Sequence, residues 1–238
     1  MKSFLVILTI SMFPFSLSAQ QKVKYDVDFT FKDGLYISFQ DFKNNNPIPI
    51  THILSDFDIR DQNYLDQVLS SDSVSYFDNL YEERIIAVES LWGYSQRGKV
   101  YIGFGASQSF DNPEFFDFYP LLTIGRVCFF TAYEAFYRSI GVGPQMGGFQ
   151  DPMMFNDQMT VTETAQVQFI FKIEDGRLIL ADRGDLNGFP PRLIRDLIQS
   201  DPVLTTEFDS LNTKEQKQTG MFYIRKFNER NPVYFPVN

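Results

Sequence analysis

The chain has 238 residues, 21 Lys+Arg against 30 Asp+Glu for a formal net charge of −9, and a single histidine and a single cysteine. That balance excludes the positive footprint with which nucleic acid or anionic lipid is bound. One cysteine excludes an intramolecular disulfide, and one His with one Cys falls short of the ligand set of a zinc-type site, so stability must come from packing, for which 26 Phe and 12 Tyr supply the material.

At the N-terminus, Lys2 is followed by a non-ionic run, "FLVILTISMFPFSL", and then by the small residues of "SLSAQQ". This pattern predicts a signal peptide over residues 1–19, cut after Ser18 or Ala19, and export to the periplasm or beyond. The run is shorter than the ~20 apolar residues of a spanning helix, and Pro14 interrupts it. No cysteine stands directly after the cut, so a lipoprotein is not expected. No later run approaches spanning length, so neither is an integral membrane protein.

Residues 20–238 are expected to form a single domain. "VKYDVDFTF" (Val23–Phe31) alternates like a half-buried strand, and "KDG" then turns it into a return strand at Leu35–Ile37. Ser38 with Asp41 three residues later is a capping box with an acid in the Glu/Gln place. It predicts one or two helical turns from Phe39, stopped by Asn44–Asn46 and Pro47. Asp61–Ser71 has Tyr64, Leu65, Val68 and Leu69 at helical spacing.

The middle of the chain is a series of strands: "DSVSYFD", "ERIIAVESLWGY", "KVYIGFG", "FFDFYPLLTIG" and "RVCFFTAYEAFY". "SQRG" is a hairpin loop between the second and third, and "EDG" joins "AQVQFIFKI" to "RLILAD". Toward the C-terminus the period changes. Leu193, Ile194, Leu197 and Ile198 share a helical face, Asp201-Pro202 opens a second helix, and Thr213 with Gln216 caps a third that ends at Pro232. Gly220 argues against that third helix being continuous. Strands followed by helices predict α+β: an antiparallel sheet, open or curved toward a barrel, with C-terminal helices on one face or end.

Three blocks, "DGLYISFQDFKNNNPIP", "LWGYSQRGKVYI" and "FYIRKFNERNPVYFP", resemble a family of exported proteins common in Bacteroidota. The resemblance implies a Gram-negative envelope setting and no particular activity.

For catalysis the residues offer little. There is no phosphate-binding loop, no G-x-S-x-G elbow, and no evident cofactor motif. Cys128 in "GRVCFFTAY" has the setting of a buried thiol, and His52 that of a partly buried strand residue. Two acidic clusters, Asp56/Asp58/Asp61 and Asp111/Glu114/Asp117, could pair as a glycosidase acid and base, or simply lie on a solvated face. Arg183-Gly184-Asp185 matches an adhesion tripeptide of a kind that arises often by chance. Trp92 and Tyr94, two apart in a strand, should face one side, and burial in the sheet is favoured over an exposed stacking strip.

The segment 139–164 lacks a period and is read as a long Gly/Met-rich loop. It is either a contact surface or an insertion with no partner. Met146, Phe149, Met153, Met154 and Phe155 would be its anchors. The expected function is that of an exported binding or interaction module whose partner is another envelope protein or a glycan. A carboxylate-dependent hydrolase of glycan or peptidoglycan is the alternative.

Overall fold

A computed structural model describes residues 21–78, 82–105, 116–141, 158–182 and 188–237. In chain order the elements are β1 (Lys22–Lys24), β2 (Gly34–Tyr36), α1 (Phe39–Lys43), β3 (Ile48–Pro49), β4 (Ile53–Leu54), α2 (Tyr64–Leu69), β5 (Ser73–Phe77) and β6 (Glu83–Ala87). They continue with β7 (Gly93–Gln96), β8 (Lys99–Gly105), β9 (Phe116–Thr123), β10 (Val127–Gly141), β11 (Gln158–Lys172) and β12 (Leu178–Asp182). The C-terminal part holds α3 (Pro191–Ile198), α4 (Pro202–Asp209), α5 (Thr213–Arg230) and β13 (Tyr234–Pro236).

Eight strands form one antiparallel sheet in the order β12-β11-β10-β9-β8-β7-β2-β3, beside a three-stranded sheet β4-β5-β6 and the pair β1-β13. Among the described residues β12 and β3 are not paired with each other, so the large sheet is open and not a closed barrel. Together with α3–α5 packed on the sheet, this is the α+β class expected. No helix among the described residues is long and apolar enough to cross a membrane.

The sheet curls. Four strand spacings separate β7 from β11, about 19 Å in a flat sheet. Yet the rings of Trp92, at the start of β7, and Phe171, on β11, have centroids 6.4 Å apart. The two halves join along β9, whose Phe116–Pro120 pair with β8 while Leu121 and Thr123 pair with β10, opposite a bulge at Phe129/Phe130. A bulge and a proline, which cannot donate to the ladder, both favour a bend at this handover.

Three apolar clusters follow from the strand alternation. Inside the curl lie Tyr36, Val100, Ile102, Phe104, Cys128, Phe130, Phe169 and Phe171, with Phe31, Phe42 and Phe235 closing over them. On the outer face of β10–β12, Val127, Phe129, Ile170 and Ala181 receive α3, α4 and α5. On the outer face of β2 and β7, Leu35 and Tyr94 receive α2 and the small sheet. Strands buried on both faces explain the unbroken apolar runs "VCFF" and "FIF".

Local signals succeeded where a turn or cap acts alone. Arg97 and Gly98 both have positive φ (54° and 73°) in the two-residue loop between β7 and β8, as a primed hairpin turn requires. Gly176, with φ 68°, closes the β11–β12 hairpin. Leu193 packs against the buried Ile194, Leu197 and Ile198 on α3.

Other expectations are corrected. Val23–Phe31 is not a strand beyond Lys24, and no hairpin joins it to β2. Both edges of β2 are taken, by β3 and β7, and β1 pairs with β13 instead. Asp26 accepts from the amides of Asp28 and Phe29 to make a tight turn, which exposes Val27 and folds Tyr25, Phe29 and Phe31 onto Phe235. The cap of α5 is Asn212 with Glu215, one residue before the Thr213–Gln216 pair. Helix α5 is continuous through Gly220, where a Cβ would stand 3.1 Å from Ile194 and Phe189, so glycine permits close helix packing here. The ladder of β10 and β11 runs out to Gly141↔Gln158, so residues 139–141 and 158–164 of the expected loop are strand.

Candidate functional site

The short helix α1 is fixed at both ends. The Asp41 carboxylate accepts from the Ser38 amide (2.8 Å) and hydroxyl (2.6 Å), and the Ser38 oxygen accepts from the Asp41 amide (3.2 Å). At the other end Lys43 Nζ donates to the Glu174 carbonyl at 2.9 Å and stands 5.4 Å from the Phe39 ring centre. So held, α1 presents Phe39 and Phe42, three residues apart on one face, to Trp92.

Trp92 is woven between two strands: its amide donates to the Tyr36 carbonyl (3.0 Å), and its carbonyl accepts from the Gly103 amide (2.8 Å). Its ring stacks on Phe42 at 4.5 Å and 17°, with Phe39 at 5.8 Å and the edges of Tyr36 and Phe171 at 6.1 and 6.4 Å. Trp92 therefore packs inside the curl, whereas Tyr94 lies in the outer cluster, stacked on Tyr101 at 4.6 Å. The expectation that they share a face fails because Trp92 precedes β7 and escapes its alternation. Burial within the sheet holds for Tyr94 and in part for Trp92, which is partly buried.

The open part of Trp92 faces a cleft of about 370 Å³ where the two halves of the sheet meet. Phe39, Trp92, Phe116 and Phe171 supply four aromatic walls, and Ser38, Ser90 and Glu89 supply the polar ones. Glu89 is the one charged residue lining it among the described residues, and it is exposed. Gly176 forms part of the wall. A Cβ there would come within 2.6 Å of the Phe39 ring, and its positive φ also favours glycine.

A second hollow of about 250 Å³ lies between β2–β3 and β5, with His52, Asp41, Tyr76 and Asp78 on its walls. His52 sits in a 3-10 turn (Ile50–His52), not a strand, with Nδ1 3.2 Å from the Phe77 carbonyl. The carboxylates here have structural partners: Asp41 caps α1, and Asp78 accepts from Arg84 and from the Glu82 amide.

Of the other residues singled out, Met146, Phe149, Met153, Met154 and Phe155 lie outside the described residues, as do Asp111, Glu114 and Arg183–Asp185. Asp56, Asp58 and Asp61 are exposed on the loop before α2. Asp58 accepts from the Arg60 amide, and the Asn63 amide holds the Asp61 carboxyl below its ordinary range. Asp117 accepts from the Phe118 amide at 2.7 Å. Among the described residues no three of His, Cys, Asp and Glu converge as a metal site would need. Cys128 is fully buried, donates to the Gly125 carbonyl at 3.3 Å, and has its thiol pushed up to about 12 by burial.

Sequence reasoning reached Trp92 and the α1 cap but missed Phe39, Phe116 and Phe171 as partners in one cleft. Their separation along the chain leaves no local signal. Comparison of the chain with family models, with curated proteins and with solved structures finds no match.

Proposed function

We propose that this chain is an exported envelope protein working as a binding or interaction module, with the seam cleft as its ligand site and a glycan or a segment of another envelope protein as its natural partner. The observation that carries the reading is the cleft itself. It has the size of a small-ligand site, and its lining sets aromatic and aliphatic side chains beside polar surface of about equal extent. Export rests on the leader-like residues 1–19, and the envelope setting on the Bacteroidota resemblance. The segment bearing Met146, Phe149, Met153, Met154 and Phe155 is a second contact surface in this reading and rests on sequence alone.

A carboxylate-pair hydrolase needs two acids converging on the ligand. Glu89 is the one acid lining the cleft among the described residues, which favours binding over cleavage.

Trp92, the sole tryptophan, is a built-in reporter of the cleft. The test is a fluorescence and thermal-shift panel of soluble envelope glycans, peptides and small organic ions against residues 20–238, with cell fractionation to locate the processed chain. At least one class should shift Trp92 emission and raise Tm, without glycan cleavage by mass spectrometry. A panel with no response, or a processed chain recovered from the cytoplasm, would overturn the proposal.

A further inference from the structure

We infer that the seam cleft selects an organic cation, a substituted ammonium carried on a small apolar body. This deepens the reading of the cleft as a ligand site and rests on it. Three observations converge. Four aromatic residues line the cleft, of which Phe39, Trp92 and Phe116 keep exposed ring surface while Phe171 is almost wholly buried. The face of an aromatic ring carries negative charge density that attracts cations, more strongly when the cation sheds water. The only charged side chain among its described lining residues is a carboxylate, Glu89. And the wall already holds one ammonium in this way: Lys43 Nζ stands 5.4 Å from the centre of the Phe39 ring, a ring that also lines the cleft.

The surroundings favour the same sign. The chain carries a net −9, which raises the local concentration of cations and repels anions. A neutral sugar would gain ring stacking and a hydroxyl hydrogen bond to Glu89, but no attraction between opposite charges. An anion would meet Glu89, while the cation on the Phe39 ring, Lys43, lies outside the described lining and already donates to the Glu174 carbonyl. The walls also suit a bulky, weakly hydrated head better than a bare metal ion. Carboxylate and carbonyl oxygens satisfy a hard metal ion, whereas ring faces reward a diffuse charge with attached methyl groups. Size agrees too, since about 370 Å³ admits a small molecule and not a folded partner.

The experiment uses residues 20–238 and Trp92 emission, titrated with choline and with its uncharged isostere, in which carbon replaces the quaternary nitrogen. Choline should give a saturable change, and the isostere should bind about tenfold more weakly or less, because it keeps the shape and loses the charge. Glu89→Gln should weaken choline by about fivefold to tenfold while leaving Tm unchanged, since Glu89 is exposed. Equal binding of choline and isostere, or no effect of Glu89→Gln, would overturn the cation assignment. If choline is silent but a neutral glycan of the panel moves Trp92, the ligand class fails and the binding reading survives. If nothing moves Trp92, both fail.

Discussion

Trp92 lies face to face on Phe42, ring centroids 4.5 Å apart and 17° from parallel, and this pair is the floor on which the cleft is built. Phe42 is fully buried beneath it and touches Phe31, Tyr36 and Phe235 as well. A partly buried tryptophan is thus held by a fully buried ring. Packing and recognition are not rival roles here, because one face of the indole is fixed by the core while another part meets the cleft.

Phe42→Ala removes that support. The expected loss is about 3–5 kcal/mol, the range for deleting a buried aromatic side chain. Trp92 emission should also move to longer wavelength in the folded protein as water reaches the uncovered face. Urea unfolding combined with emission spectra checks both. A loss under about 1 kcal/mol would mean that the neighbouring rings close the gap.

Asn228 ties the helical layer to the sheet. Its side-chain amide donates to the Val127 carbonyl at 2.8 Å and accepts from the Val127 amide at 2.9 Å, in the manner of a further strand residue. Asn228→Ala should cost about 2 kcal/mol, because two partly buried backbone groups lose their partner. Asn228→Asp should not rescue it, since a carboxylate oxygen would face the Val127 carbonyl where the amide donated. The shift in urea midpoint for the two variants decides this.

Alkaline pH should unfold the protein more readily than mutation-free packing alone would suggest. Burial raises the phenols of Tyr36 and Tyr94 above their ordinary value, and for Tyr94 the hydrogen bond to Asp66 raises it further. Their neutral forms are favoured in the fold, so this stability is fully present below about pH 10, the unfolded tyrosine pKa, and declines as pH rises above it. Cys128 acts with the same sign, its unfolded pKa lying lower still, at about 8.5. Tyr94→Phe should flatten the decline in Tm above pH 10. An unchanged slope would remove Tyr94 from the account.

At acid pH the opposite group matters. Asp201 caps α4 by accepting from the Leu204 amide at 3.1 Å, and it accepts from Arg230 Nε at 2.5 Å. The hydrogen bond from Arg230 is the main cause of its lowered pKa. Its contribution is therefore present above the unfolded value of about 3.9 and is lost as pH falls through the lower folded value. Arg230→Gln should shrink the loss of Tm between about pH 4 and pH 2 while leaving the cap in place. Asp201→Ala should cost about 1 kcal/mol at neutral pH from the cap alone.

Much of the local structure was legible. The Ser38–Asp41 box, the Arg97-Gly98 and Asp175-Gly176 turns and the apolar face of α3 each depend on a few adjacent residues, and each formed where expected. The α5 cap moved by one residue because Asn212/Glu215 and Thr213/Gln216 both satisfy the capping pattern, and only the helix start distinguishes them. Val23–Phe31 had the alternation of a strand, but both edges of its expected partner β2 are taken by β3 and β7, and alternation carries no information about which edges are free.

By itself the sequence determined the class of the fold, the C-terminal run of helices, the lone buried thiol and the excess of negative charge. These depend on composition, short-range periodicity and turn chemistry. Only the tertiary structure decided that the sheet curls, that Trp92 and Tyr94 part into different clusters, and that Phe39, Glu89, Trp92, Phe116 and Phe171 share one cleft. The reason is the range over which the deciding contacts act. A hairpin turn or a cap is settled within four residues, whereas the cleft exists because the bend along β9 brings β11 back over the start of β7, a closure set by the packing of rings far apart in the chain.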